Sequence, residues 1–264
     1  MYIAETDSTN RLLREQYLDR EDLFTIIADY QTAGRGQQGN SWEAEKGKNL
    51  LFSTLIRDWH IPVSDQFVIT QIVSLAIYKA TLSVLPEKEQ PQLAIKWPND
   101  LYYGNFKISG TLIENIWQSG EVSCSIAGVG LNVNQTKFIS DAPNPISLCQ
   151  ITHCEIERNL ILQRFLLSLQ SYRSLLFNAN AKSDFLNFRQ QVAHEYMKCL
   201  YRREGLFLWE EREVSSAPST PQLLHNNRQF LARIQTVLPS GELQLLTEDN
   251  RQLTFHFKQV RYVL

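Results

Sequence analysis

Residues 93–133 read Leu-Ala-Ile-Lys-Trp-Pro-Asn-Asp-Leu-Tyr-Tyr-Gly-Asn-Phe-Lys-Ile-Ser-Gly-Thr-Leu-Ile-Glu-Asn-Ile-Trp-Gln-Ser-Gly-Glu-Val-Ser-Cys-Ser-Ile-Ala-Gly-Val-Gly-Leu-Asn-Val. Leu93–Trp97 is a short β-rich run ended by Pro98, which cannot donate to a ladder. Leu101–Tyr103 and the run from Phe106 flank Gly104-Asn105, a hairpin signal. Thr111–Trp117 and Val122–Val133 are two more runs, joined at Ser119-Gly120. Consecutive strands with short turns predict a mostly antiparallel sheet.

Outward from this stretch, Leu23–Tyr30 and Leu50–Ile56 read as further strands. Gln66–Leu85, stopped by Pro86, carries Ile69, Ile72, Val73, Ala76 and Ala80 at helical spacing and predicts a deeply buried helix. Ser8 stands where it would cap a short first helix. Glu157–Phe177 and Ser183–Met197 are helical stretches. Beyond them, Leu206–Trp209, Phe230–Leu238, Leu243–Leu246 and Leu253–Phe257 are short strand candidates around a polar segment, Val214–Asn227. The expected architecture is α+β: a mixed, mostly antiparallel sheet with packed helices over residues 1–197, and a small β-barrel over 198–264.

Composition narrows the function classes. With 26 basic and 28 acidic residues the formal charge is −2, which argues against a broad basic face for nucleic acid. No apolar run approaches the ~18 residues of a membrane span, and residues 1–7 have no signal-peptide pattern. Four cysteines in 264 residues fit reduced thiols and a cytoplasmic protein better than a disulfide framework. Cys149, His153 and Cys154 lie close together but lack a second ligand pair for zinc.

Four polar, glycine-marked segments stand out. Gly34-Arg35-Gly36-Gln37-Gln38-Gly39 fits G-x-G-x-x-G after a strand. The residues that follow, Asn40 to Lys48, make no apolar helical face, so a dinucleotide site is disfavoured against a surface loop or a loop whose amides and Arg35 meet an anion. Lys96-Trp97-Pro98-Asn99-Asp100 sets a lysine and two oxygen-bearing side chains at a strand end. These suit phosphate and Mg²⁺, or form an Asn-Asp turn with a snorkelling lysine. Lys107 to Gly110 and Gly128 to Asn132 add a second lysine and strand glycines that leave room for a flat ligand, or are a surface lysine and sheet bulges. The five histidines are scattered, and neither a G-x-S-x-G elbow nor a Walker loop is present. Without a nucleophile, covalent catalysis is disfavoured.

Together, Ser8-Thr9-Asn10, Gln31, Gly34-Arg35-Gly36, Trp42, the Lys96–Asp100 string, Lys107–Gly110 and Gly128–Asn132 resemble the biotin–protein ligase (biotin–[acetyl-CoA-carboxylase] ligase) family over residues 3–150. The resemblance implies an SH3-like C-terminal domain and a two-step reaction. Biotin and MgATP give biotinyl-5′-AMP and pyrophosphate, and a lysine of a biotin carboxyl carrier domain then takes the acyl group. It implies Arg35 and Lys107 as catalytic cations. Ser8, Thr9, Asn10, Gln31, Gly34, Arg35, Gly36, Trp42, Lys107, Gly110 and Gly128 would bind biotin. Gln37, Gln38, Lys96, Asn99, Asp100 and Asn132 would bind the nucleotide, with Asn99 and Asp100 near Mg²⁺. The loop at 34–49 is expected to order over the ligand.

Many family members carry a second arginine where this chain has Gln37, so biotinyl-AMP is expected to leak more readily here. The Ser-Thr-Asn segment begins at residue 8, from which a ligase without a DNA-binding domain is expected, a monomer or homodimer with no DNA or membrane partner. Two rivals remain: a lipoate or octanoate ligase sharing the fold, and a non-catalytic biotin or nucleotide sensor. The first is disfavoured by the lack of an Arg-Arg-x-x-Gly-Gly-Gly stretch.

Overall fold

A computed structural model describes residues 1–36, 41–140, 144–177, 182–212 and 228–263. The expected strands form, with ends that shift by a few residues: Leu50–Ile56 lengthens to Pro62, while the run expected to Val133 ends at Leu131 and the one expected to Phe257 ends at Phe255. Strand β1 (Tyr2–Thr6) leads into helix α1 (Thr9–Gln16), β2 (Thr25–Gln31) and β3 (Leu50–Pro62). Helix α2 (Phe67–Leu82) is followed by β4 (Leu93–Lys96), β5 (Asp100–Tyr103), β6 (Phe106–Gln118) and β7 (Glu121–Leu131). Helices α3 (Leu148–Thr152), α4 (Arg158–Phe177) and α5 (Lys182–Lys198) precede five strands, β8 (Phe207–Glu211), β9 (Gln229–Val237), β10 (Leu243–Thr247), β11 (Gln252–Phe255) and β12 (Val260–Tyr262).

The first sheet runs β1-β2-β3-β7-β6-β5-β4. Only its β1–β2 pair is parallel; the others are antiparallel, as the short turns predict. Its β4 edge is covered: Ile95 N–H donates to Cys199 O at 2.7 Å, and Tyr201 N–H donates to Ile95 O at 2.8 Å. The second sheet, β11-β10-β9-β8-β12, is antiparallel throughout.

The two faces of the first sheet meet different partners, because successive strand residues alternate. Phe52 and Ile56 of β3 face the main core with α2 and α4, where Phe52 meets Phe165 edge-on at 5.0 Å between centroids. Leu55 faces α1 in a smaller cluster with Leu13, Ile26, Cys124 and Ile126. Helix α2 is apolar nearly all round, so it is buried nearly all round. The second sheet shares the main core: Trp97 Nε1–H donates to Gly241 O at 3.0 Å, and Trp209, Ile234 and Leu245 belong to the same cluster as Val68 and Ile69. Residues 199–201 run along the β4 edge and hydrogen-bond to it.

Candidate functional site

Small residues floor a trough across the first sheet. Leu51, Gly130 and Gly110 stand side by side on β3, β7 and β6, and Ser53, Gly128 and Leu112 form the next row. A Cβ on Gly128 would lie 2.0 Å from Asn10 Oδ1, and one on Gly130 would lie 2.4 Å from Trp42 Cε2. The glycines therefore let α1 and the loop after β2 come down onto the sheet. The space above them is a cleft lined by Ser8, Thr9, Asn10, Gln31, Arg35, Gly36, Trp42, Asn99, Asp100, Lys107, Gly110 and Gly128, drawn from the four marked segments and the start of α1, with Gln31 from the end of β2 and Trp42 from the loop that follows it. Ser41, Thr111, Leu112, Val129, Gly130 and Phe257 complete it.

One end of the cleft is neutral and hydrogen-bonded. Ser8 sits in extended backbone before α1, but its side chain makes no cap bond. The Thr9 N–H and hydroxyl both donate to Gln31 Oε1, at 2.8 and 3.1 Å. Asn10 Nδ2 donates to Leu112 O and to Glu114 Oε2, at 3.2 and 3.3 Å. Ser53 Oγ donates to Asn10 Oδ1 at 2.5 Å. Thr9 and Asn10 are buried, so their polar groups are held in place by these partners rather than by water.

The other end is charged. Lys107 Nζ pairs with Asp100 Oδ2 at 2.7 Å and lies 5.8 Å from the centre of the Trp42 ring. Arg35 is exposed at the rim and makes no ion pair among the described residues. Trp42 is placed by its N–H, which donates to Gly34 O at 2.9 Å, and by an Arg35–Ser41 β-bridge. The chain thus folds back at Gly34, which is not the strand-to-helix turn of a dinucleotide site. Glu43 anchors the base of this loop by accepting from Ile139 N–H and Ser140 N–H, each at 2.9 Å. Burial raises its carboxyl pKa, but these hydrogen bonds outweigh burial and hold it below the ordinary value.

Three expected site residues stand elsewhere. Gly34 is buried and lines no part of the cleft, its carbonyl accepting from the Trp42 backbone N–H. Lys96 does not line the cleft. Its Nζ donates to Tyr102 OH at 2.9 Å and lies 4.5 and 5.3 Å from the Tyr102 and Tyr262 ring centres, because the aromatic residues that join the two sheets collect there. Asn132 is buried outside the cleft, its Nδ2 donating to Ile146 O at 3.1 Å while its Oδ1 has no partner among the described residues. Gln37 and Gln38 lie outside the described residues. Cys149, His153 and Cys154 make no metal cluster: among the described residues no three His, Cys, Asp or Glu side chains converge. Phe257 was invisible to sequence reading. It reaches the cleft from the second sheet and meets Trp97 edge-on at 5.9 Å, and no local pattern marks such a contact.

Burial lowers the Lys96 ammonium to about 8 from 10.5; Asp100 opposes the shift, and Lys107 and Arg202 add to it. The folded chain then binds fewer protons than the unfolded chain between these values, so this group makes stability rise with pH across that window. Lys96→Met should therefore gain most in denaturant midpoint below about pH 8 and lose that gain as pH approaches 10.5. Urea unfolding of both proteins from pH 7 upward checks this; a difference independent of pH contradicts it.

A model of the biotin/lipoate A/B protein ligase family matches residues 2–132. The bifunctional ligase/repressor BirA of Salmonella typhimurium is 28% identical over 183 residues, covering 69% of this chain and 55% of its own. The biotin–[acetyl-CoA-carboxylase] ligase of Mycobacterium tuberculosis is 32% identical over 182 residues, covering 67% and 65%. The chain spans about half the length of the BirA relatives it matches. In fold it is similar to the biotin protein ligase of Aquifex aeolicus in complex with biotin and ATP, with a TM-score of 0.70 at 20% identity over 100% of this chain and 98% of that one. Among the described residues no helix is long and apolar enough to cross a membrane. The match begins on β1 and ends just past β7, taking in the glycine floor, both lysine-bearing strands and the start of α1, and the chain belongs to the biotin/lipoate A/B protein ligase family.

Proposed function

We propose that the chain is an ATP-dependent biotin–protein ligase. The observation that carries this reading is the two-ended cleft, with a neutral hydrogen-bonding end at Thr9, Asn10 and Gln31 and a cationic end at Arg35 and Lys107. A urea carries N–H donors and a carbonyl acceptor, and burying it without partners would cost about 1–3 kcal/mol for each group left unpaired. A lipoyl or octanoyl head has nothing to offer such groups, so the polar end favours biotin within a family that embraces both substrates.

In the first step a biotin carboxylate oxygen attacks the α-phosphorus of ATP. A P–O bond forms, the bond to the β-phosphate bridge breaks, and pyrophosphate leaves with the electron pair. Two anions meet, and their repulsion is large where water is excluded. Arg35 and Lys107 supply fixed positive charge at that junction, and the cleft holds the reactants close and aligned. Asp100 keeps Lys107 in place through the 2.7 Å pair. In the second step the amine nitrogen of a carrier-domain lysine attacks the acyl carbon, AMP departs, and the ammonium proton is lost to solvent. Mg²⁺ accepts one or two carboxylates while keeping phosphate and water oxygens. Asp100, with Asn99 beside it, fits that mode and would hold the ion, which neutralises phosphate charge.

The test is incubation of the chain with biotin, ATP and a biotin carboxyl carrier domain, read by mass. The expected product is carrier bearing one biotinyl group, with no change when ATP or biotin is omitted. Modification by lipoate or octanoate in preference to biotin contradicts the reading.

A further inference from the structure

Ser53 has no exposed surface, and it stands opposite Gly128 in the sheet register. Its Oγ is within hydrogen-bond reach of the Thr9 hydroxyl, at 2.7 Å, and of Asn10 Oδ1, at 2.5 Å. A hydroxyl has one proton to give. The amide carbonyl has none of its own, so the shorter contact assigns the Ser53 proton to Asn10. Both N–H groups of Asn10 are also committed, to Leu112 O and Glu114 Oε2. Flipping this amide would set its oxygen against a carbonyl and a carboxylate, three acceptors with no proton among them. Asn10 can therefore offer the cleft only the remaining lone pair of its carbonyl.

Gln31 is fixed in the opposite sense. Its Oε1 accepts the Thr9 backbone N–H, which leaves Nε2 beside Gly34 as a donor. One wall thus presents an acceptor and the other a donor, the complement of a head group carrying both an N–H and a carbonyl.

We infer that Ser53 and Glu114 are positioning residues that set this donor–acceptor polarity and so make the cleft selective for a urea-type head over a hydrocarbon one. Neither lines the cleft; both act through Asn10. The inference rests on the biotin reading above.

Ser53→Ala removes the donor to Asn10. Glu114→Gln replaces an acceptor-only partner by an amide that can also donate, which permits the flipped Asn10. Biotin binding by calorimetry and steady-state kinetics read the effect. Ser53→Ala should weaken biotin binding about tenfold, and Glu114→Gln by a smaller factor in the same direction. The biotin KM should rise while kcat, the ATP KM and the thermal midpoint hold. Biotin binding within twofold of wild type in both variants overturns the inference. So does a parallel loss of ATP affinity and thermal midpoint, which assigns the residues to general packing. A wild-type chain that binds no biotin overturns the functional reading itself, a result distinct from either.

Discussion

Lys107→Ala is expected to slow acyl-adenylate formation about 10²-fold or more. Lys107 is the one ammonium in the described cleft, and it is held between the Asp100 carboxylate and the Trp42 ring. Removing it does two things. It withdraws positive charge from the point where carboxylate and α-phosphate meet, and it strips the Asp100 carboxylate of its ammonium, so that Asp100 faces both whenever no Mg²⁺ is bound to it. The second effect adds an anion to a site that must already bring two together, so the loss should fall on kcat as well as on substrate binding. Arg35→Ala should act in the same direction. Arg35 has no ion-pair partner among the described residues, so the two variants separate loss of charge from release of the Asp100 carboxylate. Rapid-quench measurement of adenylate in a single turnover checks both. Rates within about threefold of wild type for Lys107→Ala would remove the cationic end from the chemistry.

Gly128→Ala should abolish tight biotin binding while leaving a folded protein. The new Cβ would stand 2.0 Å from Asn10 Oδ1 and 2.7 Å from Asn10 Cγ. Asn10 cannot yield at low cost, since Leu112, Glu114 and Ser53 hold three sides of its amide. Either α1 lifts from the sheet or Asn10 leaves its partners, and both displace the groups that meet the head of the ligand. A misplacement of about 1 Å costs on the order of 10²-fold, whereas overpacking of this kind costs stability about 1–3 kcal/mol. Calorimetric titration with biotin, alongside thermal unfolding, checks the pair of effects. Biotin affinity within about threefold of wild type would mean that the trough floor is not where the head group lies.

Much of this site could be read along the chain. The glycines of residues 128–130 and the lysine at 107 sit on strands that are consecutive in sequence and adjacent in the sheet, so local pattern and tertiary position agree. The failures share a cause. Ser53 reads as an ordinary buried strand residue, and its role exists only because β3 lies against β7, a neighbour far along the chain. Phe257 comes from the second sheet. Strands β1 and β12 are short, and α3 is five residues long; each is stabilised by what it packs against rather than by its own periodicity. Lys96 misleads in the opposite way. Four residues from Asp100 in sequence, it looks like a site lysine, but its ammonium is taken up by the tyrosines that join the two sheets.

In the proposed reaction one cleft brings a carboxylate and a nucleotide α-phosphate together between Arg35 and Lys107. A crystal structure grown with biotin and a non-hydrolysable ATP analogue tests it most directly. The expected structure places the ring system against Thr9, Asn10 and Gln31, with the carboxylate and α-phosphate in contact with both cations. Ligands bound away from this cleft, or Arg35 and Lys107 both turned out of it, would contradict the account.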